Sequence, residues 1–288
     1  MTPPERVLRY AAFTETPEGG NPAGVVLDPR GMDPEEMLAV AREVGYSETA
    51  FLSSRTTADA GVREYDIRYF SPEAEVPFCG HATIAAAVAL AERDGPGDLT
   101  FHIGAGPVPL RTSRDAADGI VATLTSVVPH IEDVTAADLA AALSALDWDP
   151  SELDSGLPSK IAYAGARHLI VAAGSRARLA ELEYDFEALK ALMLRLDLTT
   201  VSLVWCECDD RYHVRNPFPV GGVVEDPATG AAAAAFGAYL RELGLVTGPA
   251  TIDILQGQDM GRPSRLTIDI AADRLEIAVT GHAVAIRT

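Results

Sequence analysis

Twice in this chain a short glycine-containing turn opens directly into a helix built almost wholly of small apolar residues. The first is Val76-Pro77-Phe78-Cys79-Gly80-His81-Ala82-Thr83, which runs on through Ile84 to Ala91. The second is Glu225-Asp226-Pro227-Ala228-Thr229-Gly230, which runs on through Ala231 to Leu240. Neither stretch has a polar face and neither is long enough to span a bilayer, so each helix must be surrounded by protein. Their flanks match as well. Glu64 to Arg68 precedes the first and Arg211 to Arg215 the second; alternating strands ending in glycine, Leu99 to Gly104 and Thr251 to Gly257, follow. The same order of elements twice, offset by about half the chain, reads as a diverged duplication.

The rest of the chain fits around these two axes. Strands are expected over Val7 to Phe13, Ala23 to Leu27, Ser47 to Leu52, Tyr65 to Phe70, Val108 to Arg111 and Ile120 to Leu124. Asp33-Pro34-Glu35-Glu36 carries a cap, a proline at the first helical position and early acids, and Gly45 stops that helix. In the second half Thr135 to Asp138 starts a helix ending near Leu146, Phe186 to Leu196 is amphipathic, and Val201 to Trp205 is a short strand. Ser126 to Asp133 lacks alternation. Most connections are too short for helical crossovers, which favours antiparallel pairing. The expectation is α+β: two domains, residues 1–120 and 121–288, each an antiparallel sheet curled around its central helix. The helix tips should face each other across a cleft, and the last strand, Ala278 to Ile286, should be able to return to the first domain.

Composition narrows the partners. Lys and Arg number 23 against 42 Asp and Glu, a net charge of −19, which disfavours nucleic acid and anionic membrane as partners. Met1 to Arg6 lacks the basic and apolar regions of a signal peptide. With only Cys79, Cys206 and Cys208, two of them one residue apart, no disulfide framework is available, so a reducing cytoplasm is expected. Cys206-Glu207-Cys208 has the wrong spacing for zinc, and no phosphate-loop or Gly-x-Gly-x-x-Gly fingerprint follows a strand. Neither a metal nor a cofactor is therefore expected.

Several residues are candidates for chemistry, each with a plainer alternative. Glu48 is a lone acid in an apolar strand; such settings tune carboxyl groups for proton transfer near neutral pH, although composition alone favours an edge residue facing water. His81 stands at a helix start as an acid or hydrogen-bond donor, or simply packs on a loop. Cys79 is placed where a helix terminus favours the thiolate, or is a small buried hydrophobe. Asp226 and Thr229 read locally as dipole complement and cap. Around both tips, Gly80 and His81 in one half and Gly230 and Ala231 in the other would present free backbone N–H groups to an anion. Asn21, after Gly19-Gly20, should line the same site.

Taken together these motifs resemble the PhzF-like family, named for a phenazine-biosynthesis isomerase and related in fold to diaminopimelate epimerase. The resemblance rests on Phe13 to Leu27, Ser47-Glu48-Thr49-Ala50-Phe51, Arg68 to Thr83, Glu225 to Gly230, and Gln256 to Ser264. It implies two pseudo-symmetric β-barrel domains, each around a helix, and cofactor-independent isomerase or epimerase chemistry in the cleft. It also implies Glu48 as the acid/base residue, with His81 and Asp226 holding or polarising the substrate. Related racemases use one thiol per half; here the second helix start offers Asp226-Pro227-Ala228 and no thiol, which disfavours that route. Many family members carry Ser where this chain has Ala231, so a hydroxyl contact is missing and the substrate differs accordingly.

The resulting expectation is an isomerase or epimerase moving a proton on a small carboxylate-bearing substrate. Glu48, His81 and Asp226 are the catalytic candidates, and Asn21, Ser47, Gly80, Thr229, Gly230 and Ala231 the substrate contacts. A homodimer is one arrangement open to it. The alternatives are an anion-binding protein without turnover, or a hydrolase or lyase using the same Glu48.

Overall fold

The computed structural model describes residues 7–55 and 62–287; the reading of Met1 to Arg6 lies outside the described residues. Contacts divide the chain into two units, one ending at Thr125 and regaining the chain from Thr280, the other covering Ser126–Val279. A cut near residue 120 would pass through the start of a strand, which is why the division falls after Thr125.

In the first unit the order is β1 (Leu8–Ala12), β2 (Asn21–Val26), α1 (Pro34–Val44), β3 (Glu48–Ser54), β4 (Arg63–Phe70), β5 (Glu75–Val76), α2 (Gly80–Asp94), β6 (Gly97–Ile103), β7 (Gly106–Arg114) and β8 (Ile120–Thr125). The second unit runs β9 (His130–Asp133), α3 (Ala136–Leu146), β10 (Lys160–Tyr163), β11 (Arg167–Ala172), α4 (Arg176–Ala180) and α5 (Phe186–Leu196). It continues with β12 (Thr200–Cys208), β13 (Arg211–Phe218), β14 (Val223–Asp226), α6 (Gly230–Glu242), β15 (Ala250–Gln256), β16 (Ser264–Ile270) and the start of β17 (Ile277–Ala285).

Strand pairing closes the first unit into a ring. From β1 it passes through β2, β3, β4, β6, β7 and β8 to the last part of β17, which pairs back to β1. The Thr123 and Thr280 hydroxyls, 2.8 Å apart, tie β8 to β17. Most pairs are antiparallel, but β2–β3 and β4–β6 are parallel. Each parallel pair is bridged by a helix, α1 or α2, as strands pointing the same way require. In the second unit β9, β10, β11, β12, β13, β15 and β16 pair in that order, again with two parallel pairs, β11–β12 and β13–β15, bridged by α5 and α6. The duplication thus extends to the crossovers, a feature that short spacings alone did not reveal.

Inside the first ring α2 packs against β1, β2, β3, β7 and β8, and every side chain from His81 to Ala91 is buried. Alanine lets strands approach from several sides, while Ile84, Val88 and Leu90 each contribute about 1.5–3 kcal/mol on burial. The second unit repeats this with α6 against β9, β10, β11 and β16. By contrast α1 is amphipathic. Its Asp33 and Glu36 form a capping box, Gly45 ends it in the left-handed region, and Met37, Val40 and Ala41 pack on Val26, Phe51 and Phe70. The counterpart α5, with α3, covers Leu169, Val171, Val201 and Leu203. Two expectations change: β9 lies inside the segment without alternation, and β12 runs well past Val201–Trp205. Among the described residues no helix is long and apolar enough to cross a membrane.

Candidate functional site

In the first unit three separate pieces of chain converge on the start of α2. Gly20 has a φ of 63°, and a side chain there would meet the Ala12 carbonyl oxygen; this tight turn delivers Asn21 as the first residue of β2. The left-handed stop at Gly45 releases Ser47 and Glu48 at the head of β3, with Glu48 opposite Ala23 in the parallel ladder. Finally β5 pairs with β4 and hands the chain to Cys79, the N-cap residue, whose side chain makes no capping bond.

His81 is the hub. It is only 7% exposed, and its Nδ1 lies 3.1 Å from the Asn21 amide nitrogen and 3.3 Å from Cys79 Sγ. On the other side of the ring, Nε2 lies 3.3 Å from Ser47 Oγ and 3.4 Å from Glu48 Oε2. The Cys79 thiol donates to the same Glu48 oxygen at 3.4 Å. Glu48 is thus neither an edge residue facing water nor fully enclosed: its side chain is 17% exposed. Beneath it, Thr83 Oγ1 donates to the Cys79 carbonyl, and Tyr69 meets Thr83 Oγ1 at 2.6 Å. Burial pushes the Tyr69 phenol far up, so it stays neutral and structural. Among the described residues Glu48, Cys79 and His81 are also the one group whose donor atoms lie close enough to hold a metal ion.

In the second unit the start of α6 is built differently. Asp226 ends β14 opposite Asn216 and accepts a hydrogen bond from the Thr229 hydroxyl. Thr229 occupies the N-cap position, but its side chain does not cap the helix, which corrects the local reading of that residue. Buried Gln256 does that work. Its Oε1 accepts from the Thr229 N–H at 3.1 Å, and its Nε2 donates to the Asp226 carbonyl at 2.6 Å and to Thr229 Oγ1. Gly257, with φ of 74°, comes so close to the Arg262 and Pro227 carbonyls that no side chain fits, which brings Gln256 against the turn. Gly230 and Ala231 open the helix here, as Gly80 and His81 do in the first unit. Behind Asp226, Arg215 and Glu225 form a buried two-point ion pair at 3.0 and 2.6 Å.

The structure therefore gathers Asn21, Ser47, Glu48, Gly80 and His81 at one helix start, and Asp226, Thr229, Gly230 and Ala231 at the other. Sequence reasoning missed Gln256 as the cap and Arg215–Glu225 as a buried pair. The strand ending at Gly257 was visible, but not its distant partner.

Comparisons with known proteins agree with this architecture. The family model described as "Phenazine biosynthesis-like protein" matches residues 10–288. An uncharacterized isomerase of Bacillus subtilis, YfhB, is 33% identical, covering 96% of this chain and 95% of that protein. The trans-2,3-dihydro-3-hydroxyanthranilate isomerase of Pseudomonas chlororaphis is 31% identical over 95% of this chain and 94% of its own. A crystal structure of a Bacillus anthracis phenazine biosynthesis protein of the PhzF family superposes with a TM-score of 0.87 at 27% identity, over 98% of this chain and 96% of that one.

Proposed function

The chain belongs to the phenazine biosynthesis-like protein family, whose relatives are named isomerases, and from that premise we propose a cofactor-independent proton-shifting isomerase with Glu48 as its acid/base. One observation carries the reading: the Glu48 carboxylate meets both His81 and Cys79 at the open, positive end of a buried helix. The substrate class is a small molecule bearing a carboxylate. Free N–H groups around Gly80 and His81 suit that anion, and the helix end favours negative charge there.

In this reading Glu48 removes a proton from a carbon near the carboxylate and returns it to another carbon. The developing negative charge lies against first-turn donors and the His81 ring, which Asn21 and Ser47 hold in place. Donors already oriented before reaction reduce the barrier most where charge appears in the transition state. In the second unit Asp226, Thr229, Gly230 and Ala231 form the corresponding tip, suited to an anion of the same kind. Ala231 offers a methyl group and no hydroxyl, which favours a substrate different from one that needs that bond.

The test is hydrogen exchange. Candidate acids, beginning with the 2,3-dihydro-3-hydroxyanthranilate that the Pseudomonas relative isomerises, are incubated in deuterium oxide and followed by proton NMR. The wild type should place deuterium on carbon. Glu48→Gln keeps the shape and removes the base, and should slow exchange about 10²–10⁴-fold with little change in binding. Full exchange by that variant would assign the proton to another group, with Cys79 next in line. Binding without any exchange would make the protein a carrier.

A further inference from the structure

Glu48 does not stand alone at the start of α2, because a second proton-bearing group lies against it. The Cys79 thiol donates to Glu48 Oε2 at 3.4 Å, and His81 Nε2 meets the same oxygen at 3.4 Å. Asn21 presents its amide nitrogen to His81 Nδ1, so the ring proton stands on Nε2, toward Glu48. One carboxylate oxygen is thus gripped from two sides, which opposes the swing needed to carry a proton between carbons. We propose that Glu48 and Cys79 divide the proton shift: the carboxylate takes a proton from the first carbon, and the thiol delivers its own to the second. This division rests on the isomerase reading and changes only which proton is delivered.

The step balances within the site. A substrate C–H bond breaks and an O–H bond forms on Glu48, while the freed electron pair makes a double bond to the middle atom. The pair of the old double bond takes the thiol proton at the far carbon, so the Cys79 S–H breaks and a new C–H forms. A carboxylic acid and a thiolate remain. The acid proton then crosses to Sγ along the contact already present, restoring both groups without an outside reactant. Carbons on either side of one atom lie about 2.5 Å apart. Two groups whose nearest atoms are 3.4 Å apart can serve such a pair from one side.

Sulfur suits the delivering role. An ordinary thiol titrates at about 8.5, far closer to neutral pH than a hydroxyl, and general acids work best near the operating pH. Cys79 is the N-cap residue of α2, so the thiolate left after delivery lies against the positive end of the helix. A carboxylic acid is the stronger acid of the two, and the return of the proton to sulfur therefore runs downhill. Cys79 is also buried, which keeps bulk water from supplying the proton in its place.

The experiment separates removal from delivery. Enzyme equilibrated in deuterium oxide, in excess over 2,3-dihydro-3-hydroxyanthranilate, is quenched after one turnover, and proton NMR reads each carbon. The wild type should place deuterium on the receiving carbon, not the hydrogen that the substrate lost. Cys79→Ala should still exchange hydrogen at the first carbon but form isomer about 10²–10⁴-fold more slowly. Cys79→Ser keeps the size and a hydrogen-bond donor but not the acid strength, so it should fall in the same range. Glu48→Gln should lose exchange and isomer together. Substrate hydrogen carried to the receiving carbon by the wild type would overturn the proposal and leave both transfers to Glu48; this arm needs no variant to fold. Isomerisation by Cys79→Ser at the wild-type rate would overturn it as well, reducing the thiol to a positioning group. Loss of exchange along with isomer in both Cys79 variants would do the same. No exchange by the wild type on any candidate acid would instead sink the isomerase reading, and the division with it.

Discussion

The starts of α2 and α6 hold the same place in two copies of one design, yet their polar groups are spent differently. At α2 the Cys79 side chain makes no capping bond, and a thiol, an imidazole and a carboxylate pool around the first turn. At α6 Gln256 closes the turn, Asp226 and Thr229 bond to each other, and no thiol is present. The helices themselves stayed apolar in both halves because each is enclosed by strands, where any polar substitution leaves an unmatched group. The tips were under no such constraint. Duplication thus preserved the scaffold and left the thiol, the imidazole and the Glu48 carboxylate together in one half.

The largest expected stability effect separates the two units at a shared ion pair. Arg68–Glu75 in the first unit is solvent-exposed, with side chains 38% and 45% accessible; Arg215–Glu225, at the corresponding strand positions, is 9% and 3%. Arg68 holds the Glu75 carboxyl below its ordinary range, but water shares the load. Glu225→Gln strands a buried guanidinium and should cost about 3–5 kcal/mol in urea unfolding. Glu75→Gln should stay within about 1 kcal/mol. Equal losses would erase the distinction.

Next in size is an acid-sensitive histidine that only the second unit has. The ladder β11–β12 sets His168 against Thr200, as β2–β3 sets Ala23 against Glu48. His168 is fully buried, bonds Thr200 Oγ1 through Nδ1 at 2.8 Å, and has no partner for Nε2 among the described residues. Burial pushes its pKa down to about 3. The folded chain therefore keeps this ring neutral while the unfolded chain protonates it below about pH 6.5. The contribution to stability is complete above about 6.5 and is lost as pH falls toward about 3, at about 1.4 kcal/mol per unit. Between pH 7 and 5 the wild type should lose about 2 kcal/mol through this group, and His168→Gln should remove that part of the slope. An unchanged slope would place the acid sensitivity elsewhere.

What could be read from residues alone follows the range of the interactions. Local signals sufficed for Asp33 and Gly45 bounding α1, for Phe186 to Leu196 as α5, and for the two buried helices, since caps, glycine stops and apolar periodicity act within a few residues. Glu48, His81 and Asp226 are conspicuous as an acid or a histidine beside apolar runs, but local pattern left a plainer reading open for each, and the family resemblance put them forward as a catalytic set. The strand His130–Asp133 was invisible, since His-Ile-Glu-Asp does not alternate and its pairing comes from β10, about thirty residues on. Asn21 reaching His81, Arg215 reaching Glu225 and Gln256 reaching Thr229 are contacts across 60, 10 and 27 positions. No local pattern encodes them. They depend on which strands become neighbours, and that is decided by the parallel crossovers.

The smallest of these effects asks which residue closes α6, and it bears directly on the contrast with α2. A conventional reading gives the cap to Thr229, whose hydroxyl instead donates to Asp226. Gln256→Leu preserves bulk but leaves the Thr229 N–H and the Asp226 carbonyl without their side-chain partner, which should cost about 1–2 kcal/mol. Thr229→Val removes a hydroxyl that makes no helix bond and should cost less, about 0.5–1 kcal/mol. Urea midpoints of the two variants decide the order. If Thr229→Val proves the more damaging, α6 is capped in the ordinary way, and the two helix starts differ only in their titratable groups. If Gln256→Leu does, a strand-borne amide fixes the turn before α6, while a histidine and a carboxylate gather at the start of α2.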